Sequence, residues 1–548
     1  MSCIGIVGND NVGNAIALHF SNKGYNVKVL NVNENGEYDG NLEKRITRIR
    51  NIKGKFVEVS TEDKSIKWIE SYEELLNVEF LIEAIHGTKE FKQTVLKKIE
   101  NNSQQNAPIL TSGRVYFPSE LATVLENPSR LLGIYLYDVE HGNNNGEIVT
   151  HSKCCEEVAE KIRTLFTEAG LRVGVVKECT GFVHNRIGLF GIMCLLKFYD
   201  EKIITLKELS KYIVVTKVGP KLFFNLTLGK EAKFELIEAR EVFIQLSEKL
   251  GNDKFRLPNY INKYDYNDLT FDNILNVIQQ DSVEDYSISD DEGFQIKEFK
   301  KIHIKGIHPI YNNIIYPLLR GDTTLYFDKN ESREYFENIK NTTKDLYDRV
   351  LSKTVFINEE NVKEVDLVMD FTIEMLDEKI ESCKTLQQQF GTDTPILLNT
   401  PIHKLEDIAK TLEKPSMVFG MYTQKAYLAN TELIINDIID KEIYVSIRRM
   451  IKKLASDYIE TKDTYVRPLV YFVLAKLLEA SRLLEDDIAT MEDIEIVGVD
   501  GEIFKYMDLF EIKNISKICN YLEPIYGRTF AMPKILLDME KEDKKFYR

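Results

Sequence analysis

The fold is decided near the start of the chain, by Ile4-Gly5-Ile6-Val7-Gly8-Asn9-Asp10-Asn11-Val12-Gly13. An apolar strand pattern runs into a glycine loop, and a helical pattern follows as far as Phe20. In loops of this kind one glycine makes a tight turn, a second lets a pyrophosphate approach the backbone, and a third lets the helix pack on the strand. Gly8 and Gly13 supply the first and third, while Asp10 stands at the second. The loop therefore predicts the first strand and helix of a dinucleotide-type sheet.

Two positions bear on whether a dinucleotide binds there. The carboxylate of Asp10 would crowd and repel a pyrophosphate, which opposes the attraction of the helix N-terminus. At the end of the second strand, where a ribose-binding Asp or Glu is expected, the chain has Asn31. An amide can bond a hydroxyl, but without charge assistance. True cofactor binding, and a fold of this type that binds the cofactor weakly or not at all, both stay open.

Residues 1–180 alternate strand and helix patterns, which predicts a parallel sheet covered by helices on both faces. From residue 181 the periodicity is helical throughout, which predicts a second, all-helical domain. The predicted strands are Ile4–Val7, Val27–Val32, Phe80–Ile85, Ile109–Thr111, Leu131–Tyr137 and Val173–Val176, and the predicted helices are Lys89–Glu100, Glu156–Ala169, Ile187–Tyr199, Leu206–Tyr212 and Phe234–Leu250.

The chain repeats this organisation. Residues 108–135 recur without a gap as residues 395–422, and both stretches contain a Leu-Glu-x-Pro-Ser segment and close on a tyrosine. A repeat of this length indicates duplication of a whole domain set. The second glycine loop, residues 306–311, keeps only its first glycine and has Tyr311 at the third position. Tyr311 should prevent close packing of helix on strand, so the second copy is not expected to bind a dinucleotide, although Asp328 stands at the ribose position.

The repeat gives the domain boundaries. The predicted order is a sheet domain (1–180), a helical domain (181–280), an acidic linker (281–298), a second, degenerate sheet domain (299–462) and a second helical domain (463–548). The fold class is α/β plus all-α.

Composition excludes several classes of protein. The net charge of −16 argues against a general nucleic-acid binder, because phosphate backbones require clustered Lys and Arg. The longest apolar stretch, near 187–196, is too short to span a bilayer, and the N-terminus lacks a signal-peptide pattern. Seven cysteines show neither metal-ligand nor disulfide spacing, which predicts reduced thiols, no metal site and a cytoplasmic location.

Taken together, these features resemble NAD-dependent 3-hydroxyacyl-CoA dehydrogenase in its tandem, two-copy form. The most specific mark is Gly181-Phe182-Val183-His184-Asn185-Arg186, which is similar to the family's G-F-V-x-N-R junction between sheet and helical domains. The resemblance implies Rossmann-type sheet domains, NAD as cofactor and an acyl-CoA ligand. It is also carried by residues 4–31, 82–84, 90–93, 119–122, 130–137 and 526–530.

The resemblance also implies where the site residues lie. The family uses a histidine base, a glutamate that orients it, and a serine and an asparagine that hold the substrate oxygen. Tyr135 takes the histidine position, Glu147 the glutamate position twelve residues further on, and Asn185 the asparagine position. The serine is absent, because the family's N-T-S-S run falls on residues 113–116. In the second copy, Tyr422 takes the histidine position.

On the cofactor side, the family's E-A-x-x-E segment ends in Gly87 instead of glutamate. The residues that the resemblance assigns to the cofactor are Gly8, Asn9, Asp10, Val12, Gly13, Asn31, Glu83 and Lys92.

A tyrosine is a poor replacement for a histidine base. Its ordinary pKa of about 10 is far from neutral, whereas that of histidine, about 6.5, suits proton abstraction. His141 and His184 are interpreted as ordinary surface or hydrogen-bonded histidines, and Tyr135 as an aromatic core or cleft residue. The prediction is a dehydrogenase-like protein with little or no activity that keeps a ligand- or partner-binding role. The alternative is an active NAD(H)-dependent enzyme with a rearranged site in the first copy, and other chemistry in the same cleft is a third possibility.

In the family the helical domain forms the dimer. Two helical domains in one chain are therefore expected to pack against each other, giving a pseudo-dimeric monomer or a homodimer.

Overall fold

A computed structural model describes residues 3–8, 11–40, 47–50, 56–59, 65–113, 115–137, 144–205, 208–209, 211–212, 232–251, 288, 293–308, 311–319, 321–357, 364–372, 375–423, 430–454, 457–498 and 502–547. Most of the acidic linker and part of the first helical domain lie outside these ranges, as do Asn9, Asp10 and His141.

The described strands form two eight-stranded sheets and one hairpin. The strands of the first copy are β1 (Cys3–Val7), β2 (Asn26–Leu30), β3 (Thr47–Arg50), β4 (Phe56–Val59), β5 (Ile66–Ile69), β6 (Leu81–Glu83), β7 (Ile109–Ser112), β8 (Leu131–Leu136), β9 (Asn145–Thr150) and β10 (Arg172–Lys177). Those of the second copy are β11 (Lys301–Lys305), β12 (Thr324–Asp328), β13 (Thr354–Ile357), β14 (Leu367–Asp370), β15 (Ile396–Asn399), β16 (Val418–Thr423), β17 (Asn430–Ile435) and β18 (Asp457–Lys462).

Helices cover the sheets and form the two helical units. In the first half they are α1 (Asn11–Asn22), α2 (Lys89–Asn101), α3 (Pro118–Leu121), α4 (Glu156–Glu168), α5 (Phe182–Asp200) and α6 (Ala232–Leu250). In the second half they are α7 (Asn312–Leu318), α8 (Arg333–Thr342), α9 (Lys344–Ser352), α10 (Leu376–Phe390), α11 (Leu405–Ala409), α12 (Lys441–Leu454), α13 (Pro468–Glu485), α14 (Met491–Val497), α15 (Ile503–Phe510), α16 (Ile512–Tyr526) and α17 (Lys534–Lys541).

The first sheet has the order β10-β9-β8-β7-β6-β1-β2-β5, and the second has the matching order β18-β17-β16-β15-β14-β11-β12-β13. Apolar side chains fill both faces of the first sheet. Ile4 and Ile6 of β1 belong to one core cluster with Phe20 of α1, and Val7 belongs to another with Leu96 of α2. Burial on both faces is the reason why the strands appear as continuous apolar runs in the sequence. This confirms the doubly wound α/β class.

The strands and helices predicted for residues 1–180 are all present, with ends that differ by no more than a few residues. The two sheets are parallel, as predicted, except at one place in each copy, where β8–β9 and β16–β17 are antiparallel. Fewer than ten residues join β8 to β9, which is too short for a helical crossover, so the chain turns back directly. Strand β9, strand β5 with Trp68, and the β3–β4 hairpin were not predicted.

The helical units pack against each other inside the chain. Helices α5 and α13 share one apolar core with α6 and α14–α16. A Cβ on Gly191 would lie 2.4 Å from the ring of Phe472, so the glycine permits this close approach. At the same contact, the buried Arg186 Nε lies 2.5 Å from Glu479 Oε1. The predicted internal pairing of helical domains is therefore seen, while the oligomeric state of the chain stays a prediction.

Each helical unit also reaches the sheet of the other copy. The N–H of Lys177 on β10 donates to the Ile488 carbonyl at 2.7 Å, and the N–H of Lys462 on β18 donates to the Ile203 carbonyl at 3.4 Å. The two bonds are related by the same shift in residue number, so the copies are interlocked symmetrically. Among the described helices, none is long and apolar enough to cross a membrane.

The first glycine of each loop is required by packing. Gly8 has φ +110°, and a Cβ there would lie 2.1 Å from the Ala84 carbonyl oxygen. Gly306 has φ +64°, and its Cβ would lie 2.2 Å from Thr372 Cγ2. Gly8 lets the end of β1 pack against the loop after β6. Gly306 lets the end of β11 pack against the loop after β14. Their presence is explained by the fold alone and is not evidence for a bound cofactor.

Gly8→Ala should lower the free energy of unfolding by about 2–4 kcal/mol, because left-handed strain adds to an overpacking clash. The matched control is Gly24→Ala. Gly24 has φ +87°, but its Cβ would meet no atom of the described structure within 4 Å. This variant should lose only about 1 kcal/mol. Urea unfolding of both variants measures the difference, and equal losses would contradict the packing explanation.

Candidate functional site

The antiparallel pairing of β8 and β9 sets the centre of the candidate site. It places Tyr135 directly opposite Glu147. Facing residues of an antiparallel pair have Cβ atoms about 4.5–5.5 Å apart and point to the same face of the sheet. The two residues assigned by resemblance to the histidine and glutamate positions are thus neighbours on one face.

Glu147 is fully buried under the first turn of α5. Its Oε2 accepts hydrogen bonds from the backbone N–H of Val183 at 3.0 Å and of His184 at 3.4 Å. Burial raises the pKa of Glu147 to about 8, against the lowering effect of those two bonds. Burial therefore favours the neutral, protonated form of this carboxyl group, even though a helix N-terminus favours negative charge.

Three buried polar atoms at this place lack a partner within the described part of the chain: Glu147 Oε1, the Tyr137 hydroxyl and Asn185 Nδ2. The Tyr137 hydroxyl lies close enough to lower the pKa of Glu147 slightly, without reaching ordinary hydrogen-bond geometry with Oε1. Asn185 is only 2% exposed. Because buried polar groups are normally paired, these atoms indicate room for a polar group of a ligand or for water.

The start of α5 is strained. Gly181 has φ +79° and Phe182 has φ +54°, so two successive residues are left-handed where the sheet domain meets the helical unit. For a non-glycine residue this costs about 1–2 kcal/mol. The turn brings the N–H groups of Val183 and His184 onto Glu147, so the strain supports the contact between strand and helix.

His184 lies in the site, although the sequence suggested an ordinary histidine. Its ring stacks on Tyr137 with centroids 3.5 Å apart, and it meets the edge of Tyr135 at 5.8 Å. Its Nδ1 lies 3.2 Å from the Val497 carbonyl oxygen. A carbonyl only accepts, so this bond places a proton on Nδ1. The sequence carried no signal for this, because a helix from the next domain brings the ring to the strand.

On the cofactor side, the described donors are largely used by the protein itself. The Gly8 N–H donates to the Leu30 carbonyl at 2.9 Å. Asn31 is buried, and its Nδ2 donates to the Asp39 carbonyl at 3.0 Å, while Oδ1 has no partner in the described structure. Val12 and Gly13 lie in the first turn of α1. One acceptor, Asn31 Oδ1, therefore stands at the position expected for a ribose hydroxyl.

Glu83 and Lys92 form a buried ion pair at the end of β6. Lys92 Nζ lies 2.9 Å from Glu83 Oε1 and donates to the Ile85 carbonyl at 2.8 Å. The second copy has the same pair, Lys379 with Asp370 at 3.1 Å, at the same sequence spacing. The ion pair thus recurs at the carboxyl end of the same strand in both copies. Its sequence spacing also recurs, and this signal could have been found in the sequence.

A cavity of about 290 Å³ opens at the carboxyl ends of β6 and β7. Its walls include Lys92, Gly113, Gly133, Phe182 and Glu241, from the sheet domain, α5 and α6. Carboxyl ends of parallel strands are where ligands bind in open α/β sheets. Gly133 is two residues before Tyr135 on the same strand and face, so the cavity ends about 7 Å along the strand from Tyr135.

The second copy has a buried tyrosine–glutamate pair of its own. Tyr422 lies opposite Glu432, which accepts a hydrogen bond from the Leu469 N–H at 3.1 Å. The Tyr212 hydroxyl of the first helical unit also donates to Glu432. Burial raises the pKa of Glu432 to about 7. The sequence comparison missed Glu432 because the β16–β17 connection is two residues shorter than the β8–β9 connection.

The glycine loop of the second copy is filled by side chains. The ring of Tyr311 lies 4.7 Å from that of Phe371, and its hydroxyl accepts a hydrogen bond from Asn399 Nδ2 at 3.0 Å. Burial raises the pKa of Tyr311. The space at the third loop position is thus occupied by an aromatic pair. Glu374, which the resemblance places in the second copy at the end of the family's E-A-x-x-E segment, lies outside the described residues.

Comparisons with known proteins agree with this architecture. Residues 3–179 match the family described as 3-hydroxyacyl-CoA dehydrogenase, NAD binding domain. Two curated relatives, both named fatty acid oxidation complex subunit alpha, are 29% identical over 117 residues (Acinetobacter baumannii strain AYE) and 26% identical over 151 residues (Psychrobacter sp. strain PRwf-1). The matches cover 21% and 28% of this chain, and 16% and 20% of the relatives.

One crystal structure is similar over the full length. It is 3-hydroxybutyryl-CoA dehydrogenase from Escherichia coli K12 substrain MG1655, with a TM-score of 0.61 and 11% identity. The similarity covers 99% of this chain and 100% of that one. At this level of identity it shows a shared fold.

The raised pKa of Glu147 predicts a pH-dependent stability. Between about pH 4.5 and 8 the folded chain holds a proton that the unfolded chain releases, so stability falls as pH rises, by at most about 1.4 kcal/mol per pH unit. Glu147→Gln, which mimics the neutral acid, should flatten this fall. Urea midpoints at pH 5 and pH 8 test the change.

Glu432→Gln is the matched control. The fall in stability that this variant removes should end near pH 7 instead of pH 8. An unchanged pH dependence in Glu147→Gln would show that Glu147 is ionised in the folded chain.

Proposed function

We propose that the first copy, whose residues 3–179 match the NAD binding domain of 3-hydroxyacyl-CoA dehydrogenase, binds an acyl-CoA while catalysing that family's NAD-dependent reaction weakly or not at all. The observation that carries this proposal is the pair at the centre of the site. A tyrosine faces a glutamate that burial keeps neutral, where a base and a charged carboxylate would be needed.

The loss of the general base can be expressed as a decrease in reaction rate. A positioned general base contributes typically 10²–10⁴-fold. A phenol with an ordinary pKa of about 10 cannot take up the proton of a hydroxyl efficiently at pH 7. The neutral Glu147 offers no negative charge to stabilise a cationic base either. Oxidation through this pair should therefore be slower by about that factor.

Binding is better supported than chemistry. The cavity of about 290 Å³ has mostly apolar walls, and one of its lining residues, Gly133, lies two residues before Tyr135 on β8. Asn185 Nδ2 and Glu147 Oε1 are buried without described partners and could bond to a ligand oxygen. Small-molecule sites are typically apolar clefts with a few such polar groups, so an acyl chain with one oxygen function suits this one.

The residues on the cofactor side of the first copy fit NAD only in part. Asn31 Oδ1 is an acceptor for a ribose hydroxyl, but the Gly8 N–H and Asn31 Nδ2 are bonded within the protein, and Lys92 is neutralised by Glu83. Asn9 and Asp10 lie outside the described residues. NAD, when bound, supplies the hydride acceptor of the family reaction. We propose weak NAD binding in the first copy.

The oligomeric state, the location and the absence of a nucleic-acid partner are proposals of the same kind. The internal pairing of α5 and α13 already buries the surface that would form a dimer, which favours a pseudo-dimeric monomer over a homodimer. We further propose a cytoplasmic location and no nucleic-acid partner, in keeping with the net charge of −16.

Calorimetry of the full chain tests the proposed function. Acetoacetyl-CoA should bind, and NADH should bind more weakly. Turnover, followed by NADH absorbance, should be absent or at least about 10²-fold below an ordinary enzymatic rate of about 10 per second. Absence of acyl-CoA binding would remove the proposal, and turnover at an ordinary rate would replace it with the active alternative.

That alternative, an active NAD(H)-dependent enzyme with a rearranged site in the first copy, has one observation in its favour. The His184 ring lies against Tyr135 and Tyr137 and is held in one orientation by the Val497 carbonyl. An imidazole is thus present in the site, although it comes from a different element than in the family.

The Tyr135→His variant distinguishes the proposed weakly active protein from the active alternative. It should raise the rate of NADH consumption with acetoacetyl-CoA by about 10²–10⁴-fold, because it places a base opposite Glu147. Tyr422→His in the second copy is the matched control and should change nothing. Tyr135→Phe should leave the residual rate within about twofold of wild type. Its complete loss in this variant would mean that the phenol takes part in the reaction, as the active alternative requires.

A further inference from the structure

The residue at the start of the helical unit differs in chemistry between the two copies. The shift in residue number that relates Lys177 to Lys462 takes Phe182 to Arg467. Phe182 lines the cavity of the first copy, whereas Arg467 directly precedes α13 in the second copy and is fully buried. The same place in the fold thus carries an apolar ring in one half and a positive charge in the other.

The Arg467 side chain reaches the counterpart of the cavity wall. Its Nη2 donates to the His403 carbonyl at 2.7 Å and also to the Thr464 carbonyl. Residues 108–135 align without a gap with residues 395–422, so His403 corresponds to Tyr116, which lines the cavity of the first copy. Arg467 therefore lies in the second copy beside the place that the cavity has in the first.

Two of the three guanidinium nitrogens of Arg467, Nε and Nη1, are buried without a partner among the described residues. Asp463 Oδ1 lies 3.4 Å from the third, Nη2. The Asp463 carboxylate also accepts the backbone N–H groups of Leu405 at 2.9 Å and Glu406 at 2.8 Å. Because a guanidinium stays charged in proteins and buried polar groups are normally paired, the unused donors of Arg467 suit an anionic oxygen.

Glu432 is a second polar group near this guanidinium. Burial raises the pKa of Glu432, and the charge of Arg467 opposes the shift. Its Oε1 accepts hydrogen bonds from the Tyr212 hydroxyl and the Leu469 N–H, while Oε2 is buried without a described partner. A protonated carboxyl group donates one hydrogen bond, and Oε2 is the oxygen with room for the proton. In that form Glu432 adds a neutral donor near Arg467.

Arg467 also lies near a residue that reaches the surface, the partly exposed Tyr526. Burial and Glu201 raise the pKa of Tyr526 to about 12, and the charge of Arg467 opposes the shift. The Nζ of Lys197 on α5 lies 4.8 Å from the centroid of the Tyr526 ring. A second cation, from the other half of the chain, is thus present on the side of the guanidinium that faces the surface.

We propose that the second copy binds a small monocarboxylate at the start of α13, with Arg467 as its cationic partner and Glu432 as a second donor. A monoanion is favoured because one guanidinium, already 3.4 Å from Asp463, leaves a phosphate dianion uncompensated in a buried place. The N-terminus of α13, a helix of 18 residues, favours the same negative charge. The site goes beyond the proposed function and does not depend on acyl-CoA binding.

Thermal unfolding of the full chain at constant ionic strength, in acetate, phosphate or chloride, gives the first test. Acetate should raise the wild-type midpoint along a saturable curve, because a ligand that binds only the folded state stabilises it. Phosphate and chloride should give no saturable rise. A midpoint that does not respond to acetate, or an equal saturable rise in phosphate, would overturn the proposal.

Arg467→Lys keeps the charge but loses the guanidinium donors, so acetate should bind it at least about tenfold more weakly than wild type. Arg130→Lys is the matched control. Arg130 is also buried and bonded to backbone carbonyls, those of Ala107 at 2.9 Å and Gln104 at 2.7 Å. This variant should respond to acetate like wild type. An equal response of Arg467→Lys and wild type would contradict the assignment of Arg467.

A crystal structure of the wild-type chain grown in acetate needs no variant and decides the matter even if Arg467→Lys does not fold. It should show a carboxylate within hydrogen-bond distance of Arg467 Nε or Nη1. Water or protein atoms alone at both nitrogens would overturn the proposal.

Discussion

The structure depends on a buried carboxyl group held by the first turn of a helix. In each copy a glutamate on the antiparallel strand, Glu147 or Glu432, accepts a backbone N–H from the helix that begins the helical unit. These bonds join the sheet to the helical unit, and α5 and α13 then join the two halves. Leaving such donors unpaired in a buried place would cost about 1–3 kcal/mol each. The glutamate is therefore needed to close the fold whether or not it takes part in a reaction.

The same reasoning applies to other residues that match the family. Gly8 and Gly306 fit where a Cβ would strike the neighbouring loop. Glu83 with Lys92, and Asp370 with Lys379, are buried ion pairs whose breakage would leave a charge uncompensated. Each has a structural reason to be present.

Much of the fold could be predicted from the sequence, because apolar runs of four to six residues separated by amphipathic helices leave few alternatives. Strand β9 could not, since its Asn-Gly start reads as part of a loop and its burial arises only from pairing with β8. The family resemblance, through the twelve-residue spacing of its histidine and glutamate, assigned Tyr135 and Glu147 to the site, and the structure places them opposite each other. Glu432 was missed because a two-residue deletion in the preceding connection shifted that spacing. His184 and Val497 come from helices that contact the sheet only through tertiary packing.

The protonated and the ionised form of a glutamate at one position favour different ligands. A carboxylate only accepts hydrogen bonds, whereas the protonated group can also donate one. Together with Asn185 Nδ2, a protonated Glu147 would present two donors, which suit a carbonyl oxygen better than a hydroxyl. Under the proposed function, Glu147 on β9 and Asn185 on α5 would hold an oxo group without withdrawing a proton from an alcohol. Loss of the base and retention of the glutamate are consistent with each other if the site keeps a ligand and not the reaction.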